Sequence, residues 1–257
     1  MIALSKLRIS SICVILTFLL VTYGCLMVDK PFDELTDVDG NIYSTRQIGE
    51  QIWMRENLKV THYSDGTAIP FVLDKESWNA LGSSGKAYCW YDDDPANKES
   101  YGALYTWAGA MNGAASSTTV PSRVQGACPL GWHIPSNKEW EILINFISDF
   151  GLGFGDNVFD VAKSMAATTG WASDNTPGTP GNDMTNNNTS GFAGVPCGFR
   201  TSGGSFGYYR SCAVWWSSTA DGQSNAKFWM LLNDSISVIN DIESKTYGMY
   251  IRCIKDK

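Results

Sequence analysis

The stretch CPLGWHIPSNKEWEILINFISDF, residues 128–150, decides the fold because it holds the best-marked helix of the chain. Ser136 can cap a helix that begins at the next residue, and Glu139 follows three residues later, which completes a Ser-x-x-Glu capping box. Apolar side chains then recur at helical spacing, at Trp140, Leu143, Ile144 and Ile147. The pattern predicts a helix from about Asn137 to Phe150.

Strand patterns lie on both sides of this helix. Before it, Asp39-Gly40-Asn41 predicts a hairpin turn, because these residues tolerate positive φ. The predicted strands are 42–48, 51–54, 87–91, 213–217, 227–232, 235–239 and 247–254. Weaker helix patterns cover 158–167 and 101–111, and residues 172–190 read as a long polar loop. Because no second linker interrupts these elements, we expect one β-rich domain over residues 36–257.

The first 24 residues are typical of an export signal. Lys6 and Arg8 precede a short apolar run, and a Gly24-Cys25 pair follows it, as in bacterial lipoprotein signals. We therefore expect a signal peptide over residues 1–24, a lipid on Cys25 and a tether over 25–35. The expected location is the bacterial outer membrane or cell surface, with the membrane contacted through the lipid anchor. Two alternatives remain, which are simple secretion with cleavage after Gly24 and an uncleaved anchor.

Composition excludes several classes of protein. The 257 residues carry 19 Lys+Arg against 26 Asp+Glu, a formal net charge of -7, so no basic face is expected and nucleic acid is not an expected partner. Apolar residues make up 44% and aromatic residues 12%, which is enough for a packed core and excludes a disordered chain.

The cysteines favour structural roles over metal or redox chemistry. Five lie beyond Cys25, and they are Cys89, Cys128, Cys197, Cys212 and Cys253. None forms a Cys-x-x-Cys pair, and the chain has only two histidines, so zinc and dithiol motifs are not indicated. Five cysteines can form at most two disulfide bridges within the chain, so one thiol either stays free or pairs outside the chain.

A series of blocks resembles a known family. In chain order these are DGNIY (39–43), IGEQIWMRENL (48–58), YCWY (88–91), YGALYTW (101–107), CPLGWHIP (128–135) before Glu139-Trp140, GFR (198–200), WWSST (215–219) and YGMYIRC (247–253). Over about residues 36–256 the chain resembles the Fibrobacter succinogenes major paralogous domain of exported Fibrobacter and Bacteroidetes proteins. The resemblance implies an α+β domain similar to C-type lectin-like and formylglycine-generating-enzyme domains, with twisted, mostly antiparallel strands, one or two helices and long loops.

The resemblance also implies how the cysteines pair. In C-type lectin-like folds a cysteine near the main helix bridges to one on the last strand, and Cys128 and Cys253 stand at those places. Cys197 and Cys212 depart from the usual residues of the family and are expected to form a second bridge. Cys89 is then expected to be a buried thiol.

Acidic loops suggest Ca²⁺ as the only candidate cofactor. Asp92, Asp93 and Asp94, with Asn97 nearby, are hard oxygen ligands on one loop, and the alternative is a solvated turn. The set of Asp37, Asp39 and Asn41 lacks the later Glu of a Ca²⁺ loop and favours a turn. No Glu-Pro-Asn or Gln-Pro-Asp triplet occurs, which argues against the usual Ca²⁺-mediated sugar binding.

Ligand contacts are expected in loops, because loops change without unfolding the scaffold. The stretches 71–86, 172–190 and 202–211 are expected to be exposed, and the candidate ligand-binding residues are Trp171, Asp174, Asn175, Tyr208 and Tyr209. Trp78 is a further candidate for exposure. The framework tryptophans Trp132, Trp140 and Trp215 are instead expected to be buried.

Three functions are compatible with these observations. The first is a surface lipoprotein whose lectin-like domain binds a glycan, a polysaccharide or a protein. The second is a structural or adhesin-like surface component without a small ligand, and the third is an enzyme of hydrolase or sulfatase-modifying type. No nucleophile with a nearby base is indicated, and the isolated cysteines do not match the paired reactive cysteines of a formylglycine-generating enzyme, so no catalytic residue is assigned and no enzyme is expected.

Overall fold

The computed structural model describes residues 34–257. The expected signal peptide, the lipid site at Cys25 and most of the expected tether lie outside these residues. Within the described part of the chain, no helix combines the length and the apolar character needed to cross a bilayer.

The described chain contains twelve strands and five α-helices. The strands are β1 (Glu34–Thr36), β2 (Ile42–Ile48), β3 (Gln51–Met54), β4 (Tyr88–Cys89), β5 (Leu104–Tyr105), β6 (Trp132–His133), β7 (Cys197–Arg200), β8 (Phe206–Tyr209), β9 (Cys212–Asp221), β10 (Asn225–Leu232), β11 (Ile239–Ser244) and β12 (Ile254–Lys255). The helices are α1 (Lys75–Asn79), α2 (Asn97–Tyr101), α3 (Trp107–Met111), α4 (Asn137–Asp149) and α5 (Ala162–Met165). The expected α+β class with mostly antiparallel strands is confirmed.

The largest sheet joins both ends of the domain. It has five strands in the order β1-β2-β3-β12-β6, and its neighbours are antiparallel. Ile254 of β12 lies opposite Trp53 on one side and His133 on the other. The second sheet has the order β11-β10-β9, and two-stranded pairs join β4 with β5 and β7 with β8.

The hairpin turn between β1 and β2 forms as predicted. The Asp37 carboxylate accepts hydrogen bonds from the backbone N–H groups of Asp39 and Asn41, each at 2.9 Å, and from the Tyr43 hydroxyl at 2.6 Å. The Asp37 carboxylate is therefore the side-chain acceptor of an Asx-type turn, and this role explains why Asp37, Asp39 and Asn41 occur together.

Two expected strands differ from the structure. Residues 235–239 form a connection that reaches a strand only at Ile239, because Ser235 bonds locally: its hydroxyl donates to the Ser237 carbonyl at 3.2 Å and accepts from the Ser237 N–H at 3.2 Å. Residues 247–253 make single bridges instead of a continuous strand, with Gly248, Met249 and Tyr250 each bonded to a different partner strand.

Helix α4 confirms the predicted capping box. The Ser136 hydroxyl accepts from the Glu139 N–H, and the Glu139 carboxylate accepts from the Ser136 N–H at 2.9 Å. The predicted helix over 158–167 is confined to α5. The predicted helix over 101–111 is correct only for α3, because α2 ends at Tyr101 and β5 lies between the two helices. Gly102 ends α2 at φ 80°, a conformation that other residues rarely adopt.

The core is organised around the tryptophans. Trp132, Trp140 and Trp215 are buried, as predicted. The Trp140 ring lies 4.8 Å from that of Trp53 and 5.7 Å from that of Trp215, centroid to centroid, so α4 is packed onto both large sheets. Aromatic pairs at such distances add to the stability given by burial alone.

One of the two expected disulfides is present. Cys128 is bridged to Cys253, as the family resemblance implied. The expected bridge between Cys197 and Cys212 is wrong, because both are free, buried thiols, as is Cys89. The Cys197 thiol donates to the Val195 carbonyl at 3.2 Å. Burial raises the pKa of Cys89 and of Cys197 to about 12 and raises that of Cys212, so these thiols stay protonated and unreactive.

A buried histidine joins α4 to the end of the chain. His133 Nε2 lies 2.8 Å from Glu139 Oε1, and Nδ1 lies 2.6 Å from Asp256 Oδ1. Burial alone would lower the pKa of His133, but the hydrogen bonds and negative charges of Glu139 and Asp256 outweigh it and raise the pKa. The protonated imidazole therefore stabilises the folded state.

We expect stability to fall as pH rises above neutrality. A raised folded-state pKa gives stabilisation that is fully present below the unfolded value of 6.5 and is lost as pH rises through the folded value. The measurement is the free energy of unfolding by urea between pH 6 and 9. His62→Gln leaves His133 as the sole histidine and should keep the fall, whereas His133→Gln should remove it. An unchanged slope in His133→Gln would contradict the assignment.

Candidate functional site

The β7–β8 hairpin carries the two exposed tyrosines that the sequence singled out. Tyr208 is 61% exposed and Tyr209 is 49% exposed, so their expected exposure is confirmed. Gly198 allows the hairpin to pack closely: its φ is 68°, and an added Cβ would lie 2.2 Å from the Gly207 carbonyl oxygen and 2.9 Å from the Tyr91 ring. No other residue fits there without moving the hairpin.

Tyr209 belongs to a cluster that we call the tyrosine ridge, formed by Tyr91, Tyr101, Phe206 and Tyr209. Its ring stacks on Tyr91 with centroids 5.6 Å apart, and the Tyr91 and Phe206 centroids are 5.2 Å apart. The hydroxyls of Tyr101 and Tyr209 share a hydrogen bond of 2.9 Å. These contacts hold an exposed ring in one orientation.

Tyr208 lies in a different cluster. Its ring stacks on Phe199 with centroids 5.0 Å apart, and Phe199 contacts Tyr247 at 5.8 Å. The Tyr208 backbone has φ 61°, which is uncommon for a bulky residue. The two adjacent tyrosines therefore pack against separate groups of rings, and only Tyr209 joins the tyrosine ridge.

Trp171 and Trp78 were expected to be exposed, and both expectations are wrong. Each ring is fully buried with its indole N–H satisfied: Trp171 donates to the Ala167 carbonyl at 3.1 Å, and Trp78 donates to the Thr246 carbonyl at 3.0 Å. The Arg200 guanidinium also lies 4.4 Å from the Trp78 ring. Burial of a tryptophan ring contributes so much free energy that polar neighbours in the sequence do not predict an exposed ring.

Asp174 and Asn175 lie beside the hairpin but show no assembled ligand site. Asp174 Oδ1 accepts from the Thr176 N–H at 2.7 Å, a hydrogen bond that lowers the pKa of this carboxyl, and from the Thr179 hydroxyl at 3.2 Å. Asn175 is exposed. The loop is held to the hairpin end through Arg210, which donates to the Gly170 carbonyl at 3.1 Å.

The acidic run does not converge on a cation site. Asp93 Oδ1 pairs with Arg200 Nη1 at 3.2 Å, Asp94 Oδ1 accepts from the Ala96 N–H at 2.9 Å, and Asn97 donates to the Tyr91 carbonyl at 2.9 Å. Of the expected Ca²⁺ ligands, Asp93, Asp94 and Asn97 thus act as turn and ion-pair residues, and Asp92 lies in the same turn with φ 57°. Across residues 34–257 the structure shows no cluster of three or more His, Cys, Asp or Glu side chains able to hold a metal ion.

A polar cleft adjoins the tyrosine ridge, and the sequence did not reveal it. Its volume is about 200 Å³, and Tyr101 belongs to both features. The polar cleft is lined by Arg55, Glu56, Asn57, Lys59, Glu99, Ser100, Tyr101, Gly102, Ala167, Ala193 and Val195. Residues 55–59 follow β3, while 99–102 end α2, so no local spacing in the sequence connects them. Residues 55–58 belong to the block 48–58, which the sequence indicates only as part of the family resemblance.

Charged side chains at the cleft are already partnered. Lys59 Nζ lies 2.9 Å from Glu99 Oε2, and this hydrogen bond lowers the pKa of Glu99. Glu56 accepts from the Ser44 hydroxyl at 2.6 Å and from the Ser44 N–H at 2.9 Å. A carboxyl with a lowered pKa accepts hydrogen bonds at neutral pH and is a poor proton donor, so Glu99 is suited to binding more than to acid catalysis.

Asn57 links the cleft to a buried cation. Its Nδ2 donates to the Tyr101 carbonyl at 2.8 Å, and its Oδ1 accepts from Trp215 Nε1 at 2.8 Å and from Arg252 Nη2 at 3.0 Å. Arg252 is fully buried, and burial lowers its pKa to about 9. A positive group thus lies behind the cleft, separated from it by one amide side chain.

Comparison with known proteins supports the family resemblance. The family model described as the Fibrobacter succinogenes major domain matches residues 47–255, which cover the polar cleft, the tyrosine ridge and the disulfide. No curated protein and no solved structure matches the chain.

Proposed function

Since the chain belongs to the Fibrobacter succinogenes major domain family, we propose that it is a surface-exposed lipoprotein whose lectin-like domain binds a glycan or polysaccharide. The observation that carries the proposal is the half-exposed Tyr209 ring, fixed by the Tyr101 hydroxyl at the edge of a polar cleft. The bridge from Cys128, before α4, to Cys253, before β12, supports the lectin-like part of the proposal.

The chemistry of the site suits a sugar. A pyranose ring has an apolar face of C–H groups that can stack on Tyr209, and a rim of hydroxyls that can bond to groups such as Asn57, Lys59 and Glu99. Few exposed side chains would be ordered on binding, because stacking on Tyr91 and the hydroxyl bond already orient Tyr209. Such preorganisation reduces the entropic cost of association.

Replacing Tyr209 by alanine is expected to weaken glycan binding about fivefold, because a lost aromatic contact is worth roughly 1 kcal/mol. Binding is measured by screening residues 34–257, which include all of β1, against glycans and polysaccharides, with and without Ca²⁺, followed by titration of the best ligand. Tyr208→Ala is the matched control, since Tyr208 is also exposed but stacks on Phe199. A larger loss in Tyr208→Ala than in Tyr209→Ala would contradict the placement of the site.

Lipid anchoring is tested separately. Cys25→Ser is expected to move the protein from the membrane fraction to the soluble fraction, because the acylated side chain is removed. The measurement is fractionation of cells that express each form, with a Cys89→Ser variant as the control that keeps the anchor. Unchanged membrane association of Cys25→Ser would disprove the lipoprotein part of the proposal.

A further inference from the structure

We propose that the polar cleft selects acidic saccharides, with a uronate carboxylate or a sulfate placed at Lys59. This inference rests on the proposed glycan-binding function and names the chemical class of its ligand. It is carried by the charges around the cleft, the exposure of the ion pair inside it and the buried guanidinium behind it.

The charge balance of the cleft differs from that of the chain. The whole chain has a formal net charge of -7. Arg55 and Lys59 line the cleft together with Glu56 and Glu99, so the lining itself is balanced. Two further cations are close by, which are Arg252 behind Asn57 and Arg210 near Tyr101. The local excess of positive charge raises the concentration of anions at the cleft.

The two members of the Lys59–Glu99 pair differ in how tightly they are held. The Lys59 side chain is 9% exposed and its ammonium lies 5.4 Å from the centre of the Tyr43 ring, whereas the Glu99 side chain is 71% exposed. The Glu99 side chain can therefore rotate into solvent at little cost in free energy, while the Lys59 side chain stays in place. A ligand carboxylate or sulfate can take the position that the Glu99 carboxylate now occupies.

The buried Arg252 guanidinium adds a positive charge behind the cleft, and the Glu56 carboxylate acts on it through space without forming an ion pair. Its acceptors within residues 34–257 are Asn57 Oδ1 and the carbonyl oxygens of Met54 and Phe192, and no ion pair joins it to a carboxylate of that range. Charges in a low-dielectric interior act over longer distances than charges in water. An anion on the far side of Asn57 is thus favoured over a neutral hydroxyl.

The experiment compares acidic polymers with neutral polymers of the same backbone. Polygalacturonate is compared with its methyl ester, and dextran sulfate with dextran, by calorimetric titration at low and high salt. We expect the acidic member of at least one pair to bind about tenfold more tightly at low salt, because hydrogen bonds to charged groups are stronger than neutral ones. A preference for polygalacturonate indicates a carboxylate ligand, and a preference for dextran sulfate indicates a sulfate ligand.

Two variants test the placement. Glu99→Gln removes the carboxylate that competes for Lys59 and should tighten binding of the acidic polymer several-fold, an effect that unfolding cannot produce. Lys59→Gln should abolish the preference for the acidic polymer. Glu50→Gln is the matched control, because Glu50 is also an exposed carboxylate in an ion pair, with Lys257, outside the cleft lining, and the variant changes the net charge identically.

Each outcome decides a different point. Equal affinity for the acidic and neutral polymers overturns the acid selectivity and leaves glycan binding standing. Acid selectivity that Lys59→Gln and Glu99→Gln do not alter overturns the assignment to this cleft. Absence of binding to every polymer at both salt concentrations overturns the proposed function together with this inference.

Discussion

Replacing both Cys128 and Cys253 by alanine is expected to lower the free energy of unfolding by about 4–5 kcal/mol, the stabilisation that chain entropy assigns to so long a loop. The bridged residues are separated by 125 positions, so the disulfide removes many conformations from the unfolded chain. The loss should be measured by denaturation in urea under non-reducing conditions. A loss of this size is a large share of the stability of an ordinary domain.

Reduction provides the control for the disulfide. The other described cysteines are free, so a reducing agent should destabilise the natural protein to the level of the double variant and leave the variant itself unchanged. A variant that is as stable as the oxidised natural protein would show that the bridge does not constrain the unfolded state.

Replacing Trp140 by alanine should cost about 3–5 kcal/mol, because a large ring is lost from a packed core and a cavity remains. The ring is fully buried and lies within 6.1 Å of Trp53, Trp215 and Trp229, centroid to centroid. The same urea denaturation measures the loss, with retention of the near-ultraviolet circular dichroism signal as the check that the variant is still folded.

Phenylalanine substitutions separate packing from hydrogen bonding. Trp140 Nε1 has no hydrogen-bond partner among the described residues, so Trp140→Phe loses ring volume alone. Trp215 Nε1 donates to Asn57 Oδ1 at 2.8 Å, and the same oxygen accepts from Arg252. Trp215→Phe therefore loses this hydrogen bond as well as ring volume. The Trp215 variant should be less stable by about a further 1 kcal/mol. Equal losses would refute the role given to this hydrogen bond.

Local patterns predicted local structure well. Helix α4 and the β1–β2 turn were both predicted within about one residue, because the Ser136–Glu139 box and the Asp37 acceptor act between residues close in the chain. The pairing of Cys128 with Cys253 came from the order of blocks shared with a family. These features needed no knowledge of distant contacts.

Features that depend on distant contacts escaped prediction. Trp78 lies in a polar stretch, yet its burial is decided by Arg200 and Thr246, more than a hundred residues away. The polar cleft combines the segment after β3 with the end of α2, and neither segment is distinctive alone. Of the expected ligand residues, only Tyr209 lies in the tyrosine ridge, because the alternation of a strand does not show which ring cluster each side chain joins.

The place of β12 in the first sheet has a consequence for biosynthesis. Ile254 pairs with both Trp53 and His133, so strands β3 and β6 acquire β12 as a neighbour only after residue 254 has been translated. Contacts between such distant segments form slowly, and apolar strand surface stays open to aggregation until they do. We therefore expect the five-stranded sheet to be completed only after nearly all of the described chain has been made.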